Sequence, residues 1–538
     1  MLIDAHSLSA GSSVACDLCI VGAGPAGIAI AERLRSSGLS VVILESGGLD
    51  LKVRTQKLCR GEVLGDPYFR LDACRWRVFG GGSVRWGGWC RPLEEVDFTR
   101  RGWIPNSGWP INRQNLVPFS ADAARLLELP NAQFDLAAWR DRLPATLDFD
   151  GRDFENIVFQ HSPETNFGEK YRADLSGAQD IRVILNANLT EMRLDRDSQR
   201  VVTLHVATLT KRQFTVRPRA VVLATGAIEN ARLLLASRAD RPAGLGNEFD
   251  LVGRYFMDHL HVPVGHFLAR SQGWNNAFYA KSIAEDARLR GVVAPTASAQ
   301  TRYRLLGTSI AIEKPSFTAG TPFVGWHPTL TFGPVGIYRR LRDGRLHGLG
   351  EAFKNVAQRV HDAPGRIRHW NGARRALRLA HDDRGAGRIF PLYFRAEQAP
   401  DPTNRVTLFE RRDALGVPES RLEWRIKSID IESIEGWLRL LDRDVQARGL
   451  GRVIPPGEDW PSAIIGGPHH MGTTRMTANA RHGVVDAECR VHSVDNLYVA
   501  GSSVFATGGY VNPTYSLVTL ALRLADTLRA RLSPTINA

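Results

Sequence analysis

An apolar run from Leu18 to Val21 breaks at Gly22, after which Ile28, Ala31 and Leu34 recur at helical spacing and the pattern fades near Gly38. This predicts a strand followed by an amphipathic helix. A second apolar stretch, Val41 to Leu44, stops at Glu45, so the segment from Asp17 to Glu45 reads as a βαβ unit. Farther on, Arg182 to Leu185 and Val201 to Val206 read as strands. Ala220 to Leu223 reads as a buried strand that turns at Gly226 into a helix. The last stretch returns to the same texture. Asn496 to Val499 predicts a short strand turning at Gly501, and Pro513 to Leu532 a helix with Leu517, Leu520, Leu524 and Leu528 toward a core. Between His266 and Ile464 mixed strands, polar loops and a basic helical stretch predict a second domain.

The turn of the βαβ unit reads Gly22-Ala23-Gly24-Pro25-Ala26-Gly27. Gly22 permits the tight turn, Gly24 lets the backbone approach a pyrophosphate, and Gly27 lets helix and strand pack closely. Glu45 follows Gly22 by 23 residues. A carboxylate there can accept from both adenosine ribose hydroxyls and repels a 2′-phosphate, which disfavours NADP and leaves FAD and NAD open. A second glycine run, Val78 to Cys90, carries five glycines in 13 residues. It exposes backbone N–H groups and admits a flat ligand. Taken alone it reads equally as a padded turn beside Trp86 and Trp89; beside a dinucleotide turn it leans to a cofactor site.

Composition narrows the class. The chain has 538 residues, 43 % hydrophobic and 23 % charged, which excludes disordered, collagen-like and coiled-coil proteins. Its net charge of +13 favours anionic surfaces, but no nucleic-acid motif accompanies it. From Arg339 to Arg388, 13 Arg or Lys face five acids, read as a solvated helical face or lid in preference to a docking site. Six scattered cysteines make no disulfide framework and point to a reducing, cytoplasmic compartment, with Cys16 and Cys19 as buried thiols. Met1 to Ala15 lacks the pattern of a secretory signal and reads as an unprocessed leader. Glu229, Asn230, Arg232, Arg523 and Asp526 interrupt the most apolar windows, so no integral membrane segment is expected.

Taken together, the segments resemble the glucose-methanol-choline (GMC) oxidoreductase family of FAD enzymes. The matching pieces are Ile20 to Gly27 with Glu45, Gly80 to Trp89, Gly108-Trp109-Pro110, Leu223 to Ser237, Val252 to His259, His469 to Met476, and Asn496 to Asp526. The stretch from about 265 to 400 matches poorly and should hold the substrate cap. The resemblance implies an α/β fold in which a discontinuous Rossmann-type FAD-binding domain takes residues 1–110, 180–265 and 465–538. The remaining residues, 111–179 and 266–464, would form an α+β substrate domain on an antiparallel sheet, including the basic helical insert 337–388. It also implies non-covalent FAD held by Gly22, Gly24, Gly27, Glu45, Gly81, Gly82, Ser83, Trp86, Gly87, Gly226, Gly501, Asn512, Pro513 and Thr514.

The His469 to Met476 segment looks like the sugar and polyol dehydrogenase and pyranose-oxidase branch, which puts the active-site histidine at His469 and its polar partner at Asn512. Two departures matter. Arg85 stands where pyranose-oxidase-like members carry the histidine that bonds to flavin, and Gly226 to Asn230 differs from the proline version of the eukaryotic alcohol oxidases.

An alcohol that yields a hydride to flavin N5 must lose its hydroxyl proton, and an imidazole with pKa near ~6.5 is a suitable base. The rate should therefore rise with pH through that range. Asn512 can donate to the same oxygen. His470, the adjacent alternative, is expected behind His469, and His259 and His261 are expected as satisfied core histidines. No coordination set for a metal and no G-x-S-x-G elbow is present. The expected reaction is oxidation of an alcohol on a sugar, glycoside, aminocyclitol or related polyol, with O2, a quinone or a redox protein as acceptor. The alternatives are a flavin lyase or decarboxylase, and a dehydrogenase subunit that feeds a partner redox protein.

Overall fold

The computed structural model describes residues 1–163, 165–195, 199–271, 274–279, 282–284, 287–313 and 389–533. The basic insert 337–388 lies outside the described residues. Strands are numbered along the chain, as are the four described helices of ten residues or more.

The first sheet draws on three stretches of chain. Its strands are β1 (Leu2–Asp4), β2 (Ser13–Val21), β3 (Val41–Leu44), β7 (Ile181–Leu185), β8 (Asn188–Leu194), β9 (Val201–Ala207), β10 (Gln213–Leu223) and β20 (Leu497–Val499). The spatial order is β1-β7-β3-β2-β10-β9-β8, with β20 also on β10. Pairing is parallel from β1 through β10 and for β20, and antiparallel for β9 and β8. Val41 to Leu44 is buried on both faces, the condition that gives a parallel strand its unbroken apolar sequence. Helix α1 (Pro25–Leu34) packs against α4 (Thr514–Leu532), the last helix of the described chain.

Two differences from the sequence reading have one cause. β2 begins at Ser13, five residues before the apolar run, because β10 continues alongside it in register from Thr215↔Ser13 to Leu223↔Val21. Leu2 to Asp4, read as leader, forms an edge strand on Val183 to Leu185, and the Met1 ammonium donates to Ile181 O at 2.7 Å. Backbone pairing with a distant strand places these residues, and it leaves no apolar periodicity to read.

The second sheet is antiparallel and nine-stranded. β18 (Gly451–Ile454), β11 (Leu260–Ala269), β15 (Ile389–Ala396), β14 (Thr308–Ile312), β13 (Ala287–Pro295), β6 (Phe154–His161) and β5 (Trp89–Cys90) lie in that order. β12 (Ser282–Ala284) pairs with β13, and β19 (Ile465–Gly466) with β11. Trp437 of α3 (Ser428–Ala447) is fully buried and donates to Leu306 O at 2.7 Å. A small third sheet orders β16 (Arg405–Arg412), β17 (Pro418–Trp424) and β4 (Gly61–Gly65).

Helix α2 (Ala227–Ala236) is held to the third sheet by buried charge. Arg232 pairs with Glu229 at 2.9 Å and Asp413 at 2.6 Å, and donates to Pro418 O at 2.7 Å. Burial pushes the Glu229 carboxyl up, but Arg77, Arg232 and Arg75 outweigh it and hold the pKa at about 2. The charges that interrupt this apolar window are therefore a paired internal network. Removing one member strands its partners, which costs about 3–5 kcal/mol. Arg232→Ala should lower the urea midpoint by that free energy divided by an unchanged m-value; a midpoint within error of the parent would show that the network contributes nothing.

Candidate active site

Four parallel strands end side by side, and each carries a marked residue just beyond its carboxyl end: Gly22 after β2, Glu45 after β3, Gly226 after β10 and Gly501 after β20. In open α/β sheets this edge is where ligands bind. A Cβ at Gly22 (φ +102°) would lie 2.7 Å from Ala224 O, and one at Gly27 would lie 2.0 Å from Gly22 O. Those two glycines are required by packing. A Cβ at Gly24, Gly82, Gly226 or Gly501 would meet nothing within 4 Å, so the backbone there borders open space.

The second glycine run closes over the first. Gly80 N–H donates to Ala23 O at 2.8 Å, and a Cβ at Gly81 would lie 2.9 Å from Gly24 Cα. The Ser83 hydroxyl is used within the loop, donating to Gly80 O at 2.6 Å and accepting from Phe167 N–H at 3.0 Å. Trp86 Nε1 donates to Thr165 O, and Gly87 is half-buried beside it. The Arg85 guanidinium lies 4.6 Å from the centre of the Trp76 ring.

Glu45 is buried and accepts from Ala23 N–H at 2.9 Å and Gly47 N–H at 2.7 Å. Burial raises its pKa against those two hydrogen bonds and the Arg77 charge. Each carboxylate oxygen keeps a further lone pair for a ribose hydroxyl. The open glycine backbone, with a carboxylate at the end of β3, fits an adenine dinucleotide with a free 2′-hydroxyl, as FAD has.

The histidine segment is set by two neighbours. Met471 and Met257 exchange both backbone hydrogen bonds, Thr474 N–H reaches Ser503 O, and Met476 N–H reaches Val504 O. Asp258, fully buried, then takes the backbone N–H of His469 at 2.8 Å, Gly467 at 3.1 Å and His259 at 2.7 Å, together with the Tyr68 hydroxyl. Burial lifts the Asp258 pKa to about 6 against these four donors.

His469 and Asn512 come together, with Asn512 Nδ2 at 3.0 Å from His469 Nε2. Asn512 precedes Pro513, the cap of α4, which begins at Thr514. His470 points elsewhere: its ring lies 5.7 Å from Phe256 and 6.2 Å from Tyr68, and burial depresses its pKa to about 3. His259 is not a plain core histidine. Its Nδ1 is 2.9 Å from His469 Nδ1, and its Nε2 is 3.3 Å from Gly508 O. The His261 ring is 5.7 Å from that of His469, and its Nε2 accepts from Arg395 Nε at 3.3 Å. Burial first, then the charges of His259, His261, Arg395 and His470, hold the His469 pKa well below the usual histidine value.

Arg395 links this group to a pocket. Strand register sets Ser309, Arg395 and His261 side by side, and Arg395 Nη1 donates to Asn512 Oδ1 at 3.2 Å. Burial lowers the Arg395 pKa to about 10. From there the sheet face runs through Tyr393, Ala311 and Val292 to the Arg290–Glu313 ion pair. Both guanidinium groups lie over Trp89, at 4.6 Å for Arg290 and 5.1 Å for Arg395. Arg395, His259, Asp258 and Tyr68 were not found as site residues from sequence. Only the Val252 to His259 match offered a signal, and it carried no role for these side chains. Among the described residues no three His, Cys, Asp or Glu gather as a metal site.

A GMC oxidoreductase family profile matches residues 400–521, and an NAD(P)-binding Rossmann-like domain profile matches residues 20–49. The chain is 23 % identical to a 2-methyl-1,2-propanediol dehydrogenase of Mycolicibacterium austroafricanum over 97 % of this chain and 96 % of that protein. It is 24 % identical to a 6'''-hydroxyparomomycin C oxidase of Streptomyces lividus over 96 % and 92 %. Among solved structures, pyridoxine 4-oxidase from Mesorbium loti shares the fold with a TM-score of 0.53 and 16 % identity, covering 95 % of this chain and 99 % of that one. The GMC profile falls on the segment that carries His469 and Asn512, the Rossmann match falls on the first glycine turn and Glu45, and similarity to the alcohol-oxidising relatives runs the length of the chain: the protein is similar to the GMC oxidoreductases in both parts of its site.

Proposed function

We propose that the protein oxidises an alcohol carbon of a sugar, glycoside, aminocyclitol or related polyol, with His469 as the base that takes the hydroxyl proton and non-covalent FAD in the glycine cradle. The observation that carries this reading is the convergence of His469 Nε2 and Asn512 Nδ2 at 3.0 Å. FAD, when bound, supplies the two-electron acceptor that no side chain offers. Gly24, Gly82, Gly226 and Gly501 would border it, Glu45 would hold its ribose, and Gly22, Gly27, Gly81, Ser83, Trp86, Gly87, Pro513 and Thr514 would shape the cradle.

The chain's own groups handle the proton. His469 is neutral at physiological pH because burial and the surrounding cations disfavour its charged form. The alcohol hydroxyl would displace the Asn512 amide from Nε2 and give its proton to the imidazole, while the freed amide N–H turns to the oxygen and supports the charge that develops there. Arg395, bonded to the amide oxygen, keeps the N–H side turned to that position.

The six cysteines are buried free thiols, which supports a reducing, cytoplasmic site of action. No described helix is long and apolar enough to cross a membrane. The acceptor belongs to the class of O2, quinones or redox proteins. Segments 1–110, 180–265 and 465–538 would form the FAD domain, with the remainder as the substrate domain.

Three expectations test this reading. Acid precipitation should release all of the FAD, since Arg85 cannot bond to it; flavin left in the washed pellet would contradict the non-covalent assignment. Gly24→Ala and Glu45→Ala should each lose FAD on dialysis. For Glu45 the lost charged hydrogen bonds are worth ~1.5–3 kcal/mol, about 10- to 150-fold in affinity; parental retention by both variants would move the cofactor elsewhere.

His469→Ala should slow anaerobic flavin reduction by a polyol panel about 10²–10⁴-fold with normal FAD content. Asn512→Ala should cost less, because water replaces part of one amide's bonding. His470→Ala should reduce flavin near the parental rate, and the reverse ranking of the two histidines would reassign the base. The depressed pKa also moves the pH profile. The rate is lost as pH falls through the His469 pKa, so the ascending limb should lie below the ordinary ~6.5 with a plateau above it. A limb centred at or above neutral pH would show that another group accepts the proton.

A further inference from the structure

Arg395, Asn512, His469, His259 and the Gly508 carbonyl form one chain of hydrogen bonds, with successive distances of 3.2, 3.0, 2.9 and 3.3 Å. Only its two ends have roles that chemistry fixes in advance. A guanidinium only donates, so the atom of Asn512 facing Arg395 is the carbonyl Oδ1 and the amide Nδ2 faces His469. An amide NH₂ also only donates. His469 Nε2 therefore accepts, and the neutral ring carries its proton on Nδ1.

The other end gives the same answer independently. The Gly508 carbonyl only accepts, so His259 Nε2 carries a hydrogen and the neutral ring presents a bare Nδ1. That lone pair meets the proton on His469 Nδ1. Reversing any junction would set N–H against N–H or lone pair against lone pair.

Resting on the reading of His469 as base, we propose that His259 is a positioning residue that, with Arg395, fixes His469 as the Nδ1–H tautomer, so that Nε2 is the unprotonated acceptor, held by the Asn512 amide at 3.0 Å until an entering alcohol displaces it. Proton uptake at His469 Nε2 keeps the Nδ1–H···Nδ1 bond to His259 intact. Protonating His259 instead would turn two N–H groups toward each other, which agrees with a His259 pKa depressed to about 4 by burial and by the Arg395 charge. The other groups facing His469 are His261, His470 and Arg395. Asp258 faces its backbone. His261 accepts from Arg395 through Nε2, so Arg395 orders two histidines at once.

The test uses the FAD-loaded enzyme with ¹⁵N-labelled histidine, assigning the His469 ring by its loss in His469→Ala. The parent should show a protonated Nδ1 and a bare Nε2. His259→Leu should show mixed tautomers and lose about 10–100-fold in the rate of flavin reduction at saturating alcohol. Its KM should stay within about twofold, and its ascending pH limb should move downward, because the neutral His259 no longer accepts from the Nδ1–H of the charged ring. His259→Asn, whose Oδ1 can take the same proton, should recover at least about tenfold of the rate and return the limb toward the parental pH.

An Nε2–H tautomer in the parent, a His259→Leu variant with parental rate and limb, or an Asn variant no better than Leu would each overturn the proposal. The two readings fail separately. If His469→Ala reduces flavin normally, the base assignment falls and this inference with it; if His469→Ala is inactive while His259→Leu is normal, only the role of His259 falls.

Discussion

Asp258 is wholly buried, and four donors converge on its carboxylate: three backbone N–H groups and the Tyr68 hydroxyl. Two of those N–H groups belong to a loop more than 200 residues farther along the chain. A buried carboxylate without such donors would be strongly disfavoured. With them, it becomes a fastener that holds the start of β11 against the histidine segment at fixed spacing. The distance between His259 and His469 depends on it, because both rings hang from backbone that Asp258 grips. If this carboxylate were lost, the hydrogen-bond chain through the two rings would lose its register before any ring had changed.

How much of this could be read from sequence follows the range of each interaction. The βαβ unit was legible because its strand, glycines, helix and terminal Glu45 are consecutive and each has a local steric reason. His469 and Asn512 were reachable through the family resemblance, since each sits in a short motif. Arg395 was not, because its meaning lies in the register that sets it beside His261 and Ser309, both over 80 residues earlier in the chain. The same limit hid Leu2 to Asp4 and the first turn of β2, whose partners Val183 and Thr215 are distant. His259 read as core because burial alone was considered; its second ring nitrogen acquires a role only when the loop carrying His469 folds onto it.

Burial also explains a division among the charged groups. Glu229 and Arg232 are buried as members of a network, so their charges offset one another. Arg395 is buried against imidazoles, an amide and the Trp89 face, and its pKa falls accordingly. An arginine tolerates this better than a lysine would, because its planar, weakly hydrated cation can stack on an aromatic ring while its fork serves two acceptors. That fork is used here on His261 and Asn512.

The choice of an amide as the partner of His469 has a consequence for the pH range of the site. Asn512 has no ionisation between acid and base, so its donor persists wherever the protein is folded. A second histidine in its place would have to keep a proton on one nitrogen to donate, and would exchange its roles near the pH at which the base must be free. With Asn512 locked by an arginine that keeps its proton under ordinary conditions, the proposed mechanism asks only one group near the alcohol, His469, to change protonation during turnover. Burial holds His259 and His470 neutral, so under the proposed reading the proton's place is Nε2 of His469.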